Sequence, residues 1–188
     1  MHFLRGAAAS TVALFFCAAA RAADPQVCVV CHGEGGNSVI PANPSLAQHP
    51  AQFIATELFL FREGTRKNAQ MSPIAEKLSN AEMNDLAKHF SALKAAPPAH
   101  KSKPESVSAG PALTQRYNCV QCHGPRLMGQ QHIPRIAGQQ YEYLHTQLRL
   151  FKAQKRSDFD GTMSAAASRL SDEELELIAD YVAGLTPP

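Results

Sequence analysis

Cys28-Val29-Val30-Cys31-His32 and, 91 residues on, Cys119-Val120-Gln121-Cys122-His123 decide how this chain is read. Positions i, i+3 and i+4 of a helical turn share one face, so each stretch gathers two thiols and an imidazole around one point. A porphyrin can take a thioether from each cysteine through its two vinyl groups, and its iron can take the imidazole. C-x-x-C-H is the sequence signature of c-type haem attachment. Other uses of C-x-x-C fit less well. A redox disulfide would want a βαβ context, and a zinc site would want two further ligands at regular spacing; neither is evident. The expectation is two covalently bound haem c groups on Cys28, Cys31, Cys119 and Cys122, with His32 and His123 as axial iron ligands.

The chain has 188 residues, 45% hydrophobic and 18% charged, with no Trp. That is enough for one domain or two small ones, and the distance between the motifs favours two. Residues 1–23 read as a secretory signal peptide. Arg5 gives a positive start, Ala7 to Ala20 an apolar run around Leu14-Phe15-Phe16, and Ala20 to Ala23 small residues for cleavage before Asp24. The run is short for a membrane span; an uncleaved anchor is the alternative. Phe15-Phe16 before Cys17 argues against a lipoprotein site. Export, with a periplasmic destination, suits haem c, which is attached outside the cytoplasm. It also leaves four cysteines, all inside the motifs, and none for a structural disulfide. Removing Arg5 and Arg21 leaves 16 basic against 16 acidic residues, so no basic excess points to nucleic acid. No later stretch is apolar enough to cross a bilayer, which leaves membrane association to partners.

Outward from the motifs the chain repeats itself. Ala51, Ile54, Leu58 and Phe61 form one apolar helical stripe over residues 50–63; Tyr141, Leu144, Leu148 and Phe151 form its counterpart over 140–154. Ser79-Asn80-Ala81-Glu82 and Ser171-Asp172-Glu173-Glu174 are capping boxes. The helices behind them turn Met83, Leu86, Phe90 and Leu93, and Leu175, Ile178, Val182 and Leu185, inward. Residues 95–107, with three prolines and no apolar period, read as a linker. The expected organisation is therefore a first unit over 24–94, the linker, and a second unit over 108–188 opening with a helix from Ser108 to Tyr117. The first unit has no room for a matching helix before Cys28. It is expected to be the looser of the two, with its Phe90 face covered in part by the second unit or a partner.

The repeat also selects a second iron ligand for each haem. Met71 lies 39 residues after His32 and Met163 lies 40 after His123; each falls in a loop between helices and is followed by Ser. A thioether is a soft neutral donor, and His/Met ligation raises the reduction potential relative to two imidazoles. Met83 falls on an apolar helix face and Met128 is too near His123 in sequence. His49, His89, His100, His132 and His145 do not pair at the repeat offsets. A ligating His usually donates its other ring N–H to a carbonyl or carboxylate. Pro44 and Pro134, 12 and 11 residues past the histidines, offer matching carbonyls; simple loop rigidity is the alternative role for both prolines.

Two such units in one chain resemble the cytochrome c4 family of dihaem cytochromes. The resemblance rests on Cys-His-Gly-Glu-Gly-Gly-Asn-Ser (31–38), Pro-Ser-Leu-Ala-Gln (44–48), Phe-Arg-Glu-Gly-Thr-Arg (61–66), Ile-Ala-Gly-Gln-Gln-Tyr (136–141) and Met163 followed by Arg-Leu-Ser-Asp-Glu-Glu (169–174). It implies an all-α fold of two tandem class I cytochrome c domains related by a pseudo-twofold axis. It also implies periplasmic electron transfer without catalysis, from the bc1 complex or a dehydrogenase to a terminal oxidase. The cytochrome subunit of flavocytochrome c sulfide dehydrogenase is similar, which keeps open the role of a fixed subunit of a flavin- or quinone-dependent dehydrogenase. A dihaem peroxidase would need an open axial position, against which Met at both repeat positions speaks.

Overall fold

Both capping boxes form. Ser79 starts the helix Asn80–Ala92 and Ser171 the helix Asp172–Ala183; each Ser side chain accepts from the backbone N–H three residues on, and Glu82 or Glu174 reaches back to the cap N–H. Each box satisfies two of the N–H groups a helix start leaves unpaired. In the computed structural model, which describes residues 23–158 and 160–188, these are the fourth and ninth of nine helices among the described residues. In order they are α1 (Gln26–His32), α2 (Ala51–Arg62), α3 (Met71–Ala75), α4 (Asn80–Ala92), α5 (Pro104–Arg116), α6 (Cys119–His123), α7 (Tyr141–Lys152), α8 (Thr162–Ala167) and α9 (Asp172–Ala183). A 3-10 turn, Glu34–Gly36, follows α1, and the extended pairing among these residues is one isolated bridge, Gln130 with Ile133. The signal-peptide reading lies, but for Ala23, outside the described residues. No helix among them is long and apolar enough to cross a membrane.

Each unit pairs its long helices over an apolar core. In the first, α2 packs on α4 through Ile54, Leu86, Ala87 and Phe90. In the second, α9 packs on both α7 and α5, burying Leu113, Leu144, Leu175, Ile178 and Val182. The crossing of α5 and α9 is close because Gly110 has no side chain: a Cβ there would fall 2.1 Å from Cγ of Tyr181.

Three expectations are corrected. The helix expected from Ser108 begins at Pro104. Pro suits a first helical turn, where its missing N–H is not needed, and the buried Asp180 carboxylate accepts the Lys103 N–H at 2.8 Å. Asp180 also accepts from His100 Nε2 at 2.8 Å, so the end of the Pro-rich stretch is strapped onto α9. Met71 and Met163 do not lie in loops but in the first turns of the short helices α3 and α8. Finally, the Phe90 face is covered by its own unit. Gly36 (φ +70°) lies so close that a Cβ there would meet Phe90 Cδ1 at 2.9 Å, and Gln48 N–H donates to the Phe90 carbonyl at 3.1 Å.

Candidate haem sites and the seam between them

Each C-x-x-C-H stretch is a helical turn, α1 or α6, closed by a glycine with positive φ: Gly33 at +82° and Gly124 at +81°. The four motif cysteines form no disulfide. Burial pushes the Cys28 and Cys119 thiols up, as expected for sulfur facing an apolar space rather than a thiolate centre. His32 and His123 are buried, and burial holds both imidazoles below their ordinary value. His32 Nδ1 donates to the Pro44 carbonyl at 2.7 Å and His123 Nδ1 to the Pro134 carbonyl at 2.8 Å. With Nδ1 as the donor, Nε2 is the nitrogen free for a metal. Two alkylatable thiols and one oriented imidazole per turn fit a haem c. Among the described residues no three His, Cys, Asp or Glu converge as a zinc cluster would require.

Met71 and Met163 are both partly buried, and each has its backbone N–H held by a side chain of the preceding loop. Met71 N–H donates to Asn68 Oδ1 at 2.9 Å and Met163 N–H to Asp158 Oδ2 at 2.7 Å. The competing residues are occupied elsewhere. Met83 is in the α4 core and Met128 packs on the second core. His100 binds Asp180 and stacks on Tyr141, His145 stacks on Tyr141, His89 lies edge-on to Phe90, and His132 is 3.9 Å from Asp160.

Sequence reasoning missed the polar seam between the two units. Gln139 clamps the Ser45 backbone, accepting its N–H at 2.8 Å and donating to its carbonyl at 2.9 Å. Its Nε2 also lies 3.2 Å from Nε2 of His49. Arg135, 2% exposed, donates to the carbonyls of Ala47 and Ala137, and burial pushes its guanidinium down to about 10. At the other end of the seam Glu57 accepts from both Arg66 and Arg156, and Gln147 Oε1 accepts from the same two guanidiniums. Burial works against the Glu57 charge, but the two arginines outweigh it and hold its carboxyl below the ordinary carboxylate range. Arg66 and Arg156 each stack over a phenylalanine, Phe61 and Phe151, at 4.4 Å.

Of these contacts, those that cross the seam join residues 81 to 99 apart, around the repeat period. Ser45 and Arg135, His49 and Gln139, Glu57 and Gln147, Arg66 and Arg156 are pairs of repeat mates at an offset of 90. The signal available in the sequence was therefore three mismatched polar pairs and one matched arginine pair inside an otherwise apolar repeat.

The Cytochrome c family model matches residues 107–186. Cytochrome c4 of Thiocapsa roseopersicina is 36% identical over 90% of this chain and 96% of its own length. A thiosulfate dehydrogenase electron acceptor of Thiomonas intermedia (strain K12) is 35% identical over 94% of this chain and 88% of its own. The crystal structure of reduced cytochrome c4 from Pseudomonas stutzeri superposes with a TM-score of 0.78 at 28% identity, covering 85% of this chain and 93% of that one. The repeated haem motif, the paired helical units and these likenesses agree: the chain belongs to the cytochrome c4 family, a c-type cytochrome that carries electrons on two covalently bound haem c groups.

Proposed function

We propose that this chain is an exported, periplasmic electron carrier whose two irons are closed by His32 with Met71 and by His123 with Met163. Its two haem domains span residues 24–94 and, since α5 opens at Pro104, 104–188. Electrons enter from a bc1 complex or a dehydrogenase and leave to a terminal oxidase, and the chain catalyses no reaction of its own. The haem supplies a one-electron iron couple. The protein's part is to fix each ligand and shut the axial positions, so that little rearranges when the charge changes.

The observation that carries this reading is that both imidazoles are buried and locked by a proline carbonyl in the same way. Both methionines also sit at matched points of the repeat, on backbone pinned by Asn68 or Asp158. A carrier needs both axial positions of its iron filled, whereas a peroxidase needs one iron left open. Fixed attachment to a dehydrogenase is the second reading, favoured by the relative named as a thiosulfate dehydrogenase electron acceptor.

Stopped-flow mixing of the holoprotein tests the carrier reading. Both haems should reduce with a dehydrogenase donor, reoxidise with respiratory membranes and stay inert to hydrogen peroxide. Rapid peroxide turnover at either haem would overturn it.

A further inference from the structure

The two haem motifs share their chemistry but not their surroundings. On α1, Val27, Val30 and Cys31 stand at i, i+3 and i+4 and form an outward stripe; Val27 is 62% and Val30 79% exposed. Asn43 donates its side-chain amide to the Cys31 carbonyl at 3.0 Å and its backbone N–H to the Ile40 carbonyl at 3.0 Å. That loop brings Val39, 87% exposed, and Ile40, 42% exposed, beside the motif. Ile74, one helical turn past Met71, is also exposed.

Counted from the second motif, the positions corresponding to Val27, Val30, Val39 and Ile40 are Asn118, Gln121, Gln130 and Gln131, and the position one turn past Met163 is Ala166. From Ala23 to Thr56, Asp24 and Glu34 are the two residues among Asp, Glu, Lys and Arg, and none is basic. An exposed apolar patch rimmed by uncharged residues marks an interaction site. This one surrounds the cysteine that fastens the first porphyrin, and its polar twin shows that haem attachment alone does not require it.

The geometry points to the patch of Val27, Val30, Val39 and Ile40 as the docking face for a redox protein that presents an uncharged, apolar rim around its own cofactor, making the first haem the port for protein partners. This rests on the carrier reading above. The occupant is a redox protein because the patch is continuous with the haem attachment site, where electrons must cross over a short distance. It is uncharged because there is almost nothing on this face to pair with a charged rim. Transient redox encounters bury little area, and a small apolar face meets that need. Association should then lack electrostatic steering, with rates in the unsteered range and little salt dependence.

The test is the Val30→Gln, Val39→Gln, Ile40→Gln holoprotein, which copies the second face onto the first. The probes are oxidation by the native host's respiratory membranes and oxidation by a small complex, hexacyanoferrate(III). The triple variant should lose about tenfold in second-order rate with membranes. Its rate with the small complex and both its reduction potentials should stay unchanged. A Gln121→Ala, Gln131→Ala control should stay within about twofold, and the wild-type membrane rate should change less than about threefold from low to high salt.

A triple variant that keeps the wild-type membrane rate overturns the patch while leaving the carrier reading intact. A wild type that exchanges with no membrane oxidant defeats the carrier reading instead. A wild-type dimer that the triple variant splits into monomers would assign the patch to a second copy of this chain and so overturn the redox-partner proposal.

Discussion

The second haem unit is built like a complete cytochrome fold and the first like one trimmed to its minimum. In the second, α5 crosses α9 at Gly110 against Tyr181. Tyr117 at the end of α5 donates to Glu174 at 2.7 Å, so one helix braces the cap of the other. In the first, no such helix precedes α1 among the described residues; Asp24 accepts the Gln26 N–H at 2.9 Å, and Phe90 is closed over by Gly36 and the loop after Pro44. Both units keep the proline carbonyl behind the histidine and the short helix that holds the methionine, while the extra helix is a separate source of rigidity.

The seam between the units carries the largest expected effect. Glu57 is the carboxylate shared by two buried guanidiniums, while its repeat mate is the neutral Gln147. Removing one member of a buried ionic cluster leaves uncompensated charge. Glu57→Gln should therefore cost about 3–5 kcal/mol in denaturant unfolding of the holoprotein. Gln147→Glu, which adds a carboxylate beside the same arginines, should cost far less. Equal losses from the two would mean that the two mates play the same part.

His49 supplies the next effect, through pH. Its imidazole is buried, with Nδ1 unpartnered, and burial followed by the Arg135 charge holds it well below its ordinary value. Its folded-state value is thus depressed, so its contribution is complete above the ordinary imidazole range and is lost as pH falls below about 6.5. The slope should approach about 1.4 kcal/mol per pH unit. His49→Gln, which makes the position match Gln139, should remove that slope between pH 6.5 and pH 5, measured by denaturant unfolding across that range.

Smaller still, Ser79→Ala should cost about 1 kcal/mol. Ser171→Ala should cost somewhat less, because Tyr117 still holds Glu174 in place; thermal unfolding of the two variants decides the order. Hydrogen exchange should show α1 opening more readily than α6, since α6 follows directly on the braced α5. Equal protection would contradict the comparison.

Local features were legible in the sequence and distant ones were not. The haem turns, both capping boxes and the apolar stripes of α2 and α7 are written in spacings of three or four residues, which a helix obeys whatever surrounds it. Helices α3 and α8 have five and six residues, too few to display a period, so the segments around Met71 and Met163 read as loop. The stretch from Ala95 to Val107 reads as linker because of its prolines. What turns its last residues into helix is Asp180, about 77 residues away from Lys103. Arg135 looks like an ordinary surface cation until Ala47 and Ala137 are seen to offer it carbonyls. Each of these depends on a partner that only the folded chain brings near, although the polarity mismatches between repeat mates marked where to look.

The claim on which both units agree is that each iron is closed by one imidazole and one thioether. The far-red Met–iron charge-transfer band of the fully ferric holoprotein tests it most directly, measured against haem content. The account predicts an intensity of two Met-ligated haems per chain, with Met71→Ala and Met163→Ala each removing half. An intensity of one haem, or a band that survives either substitution undiminished, would contradict it.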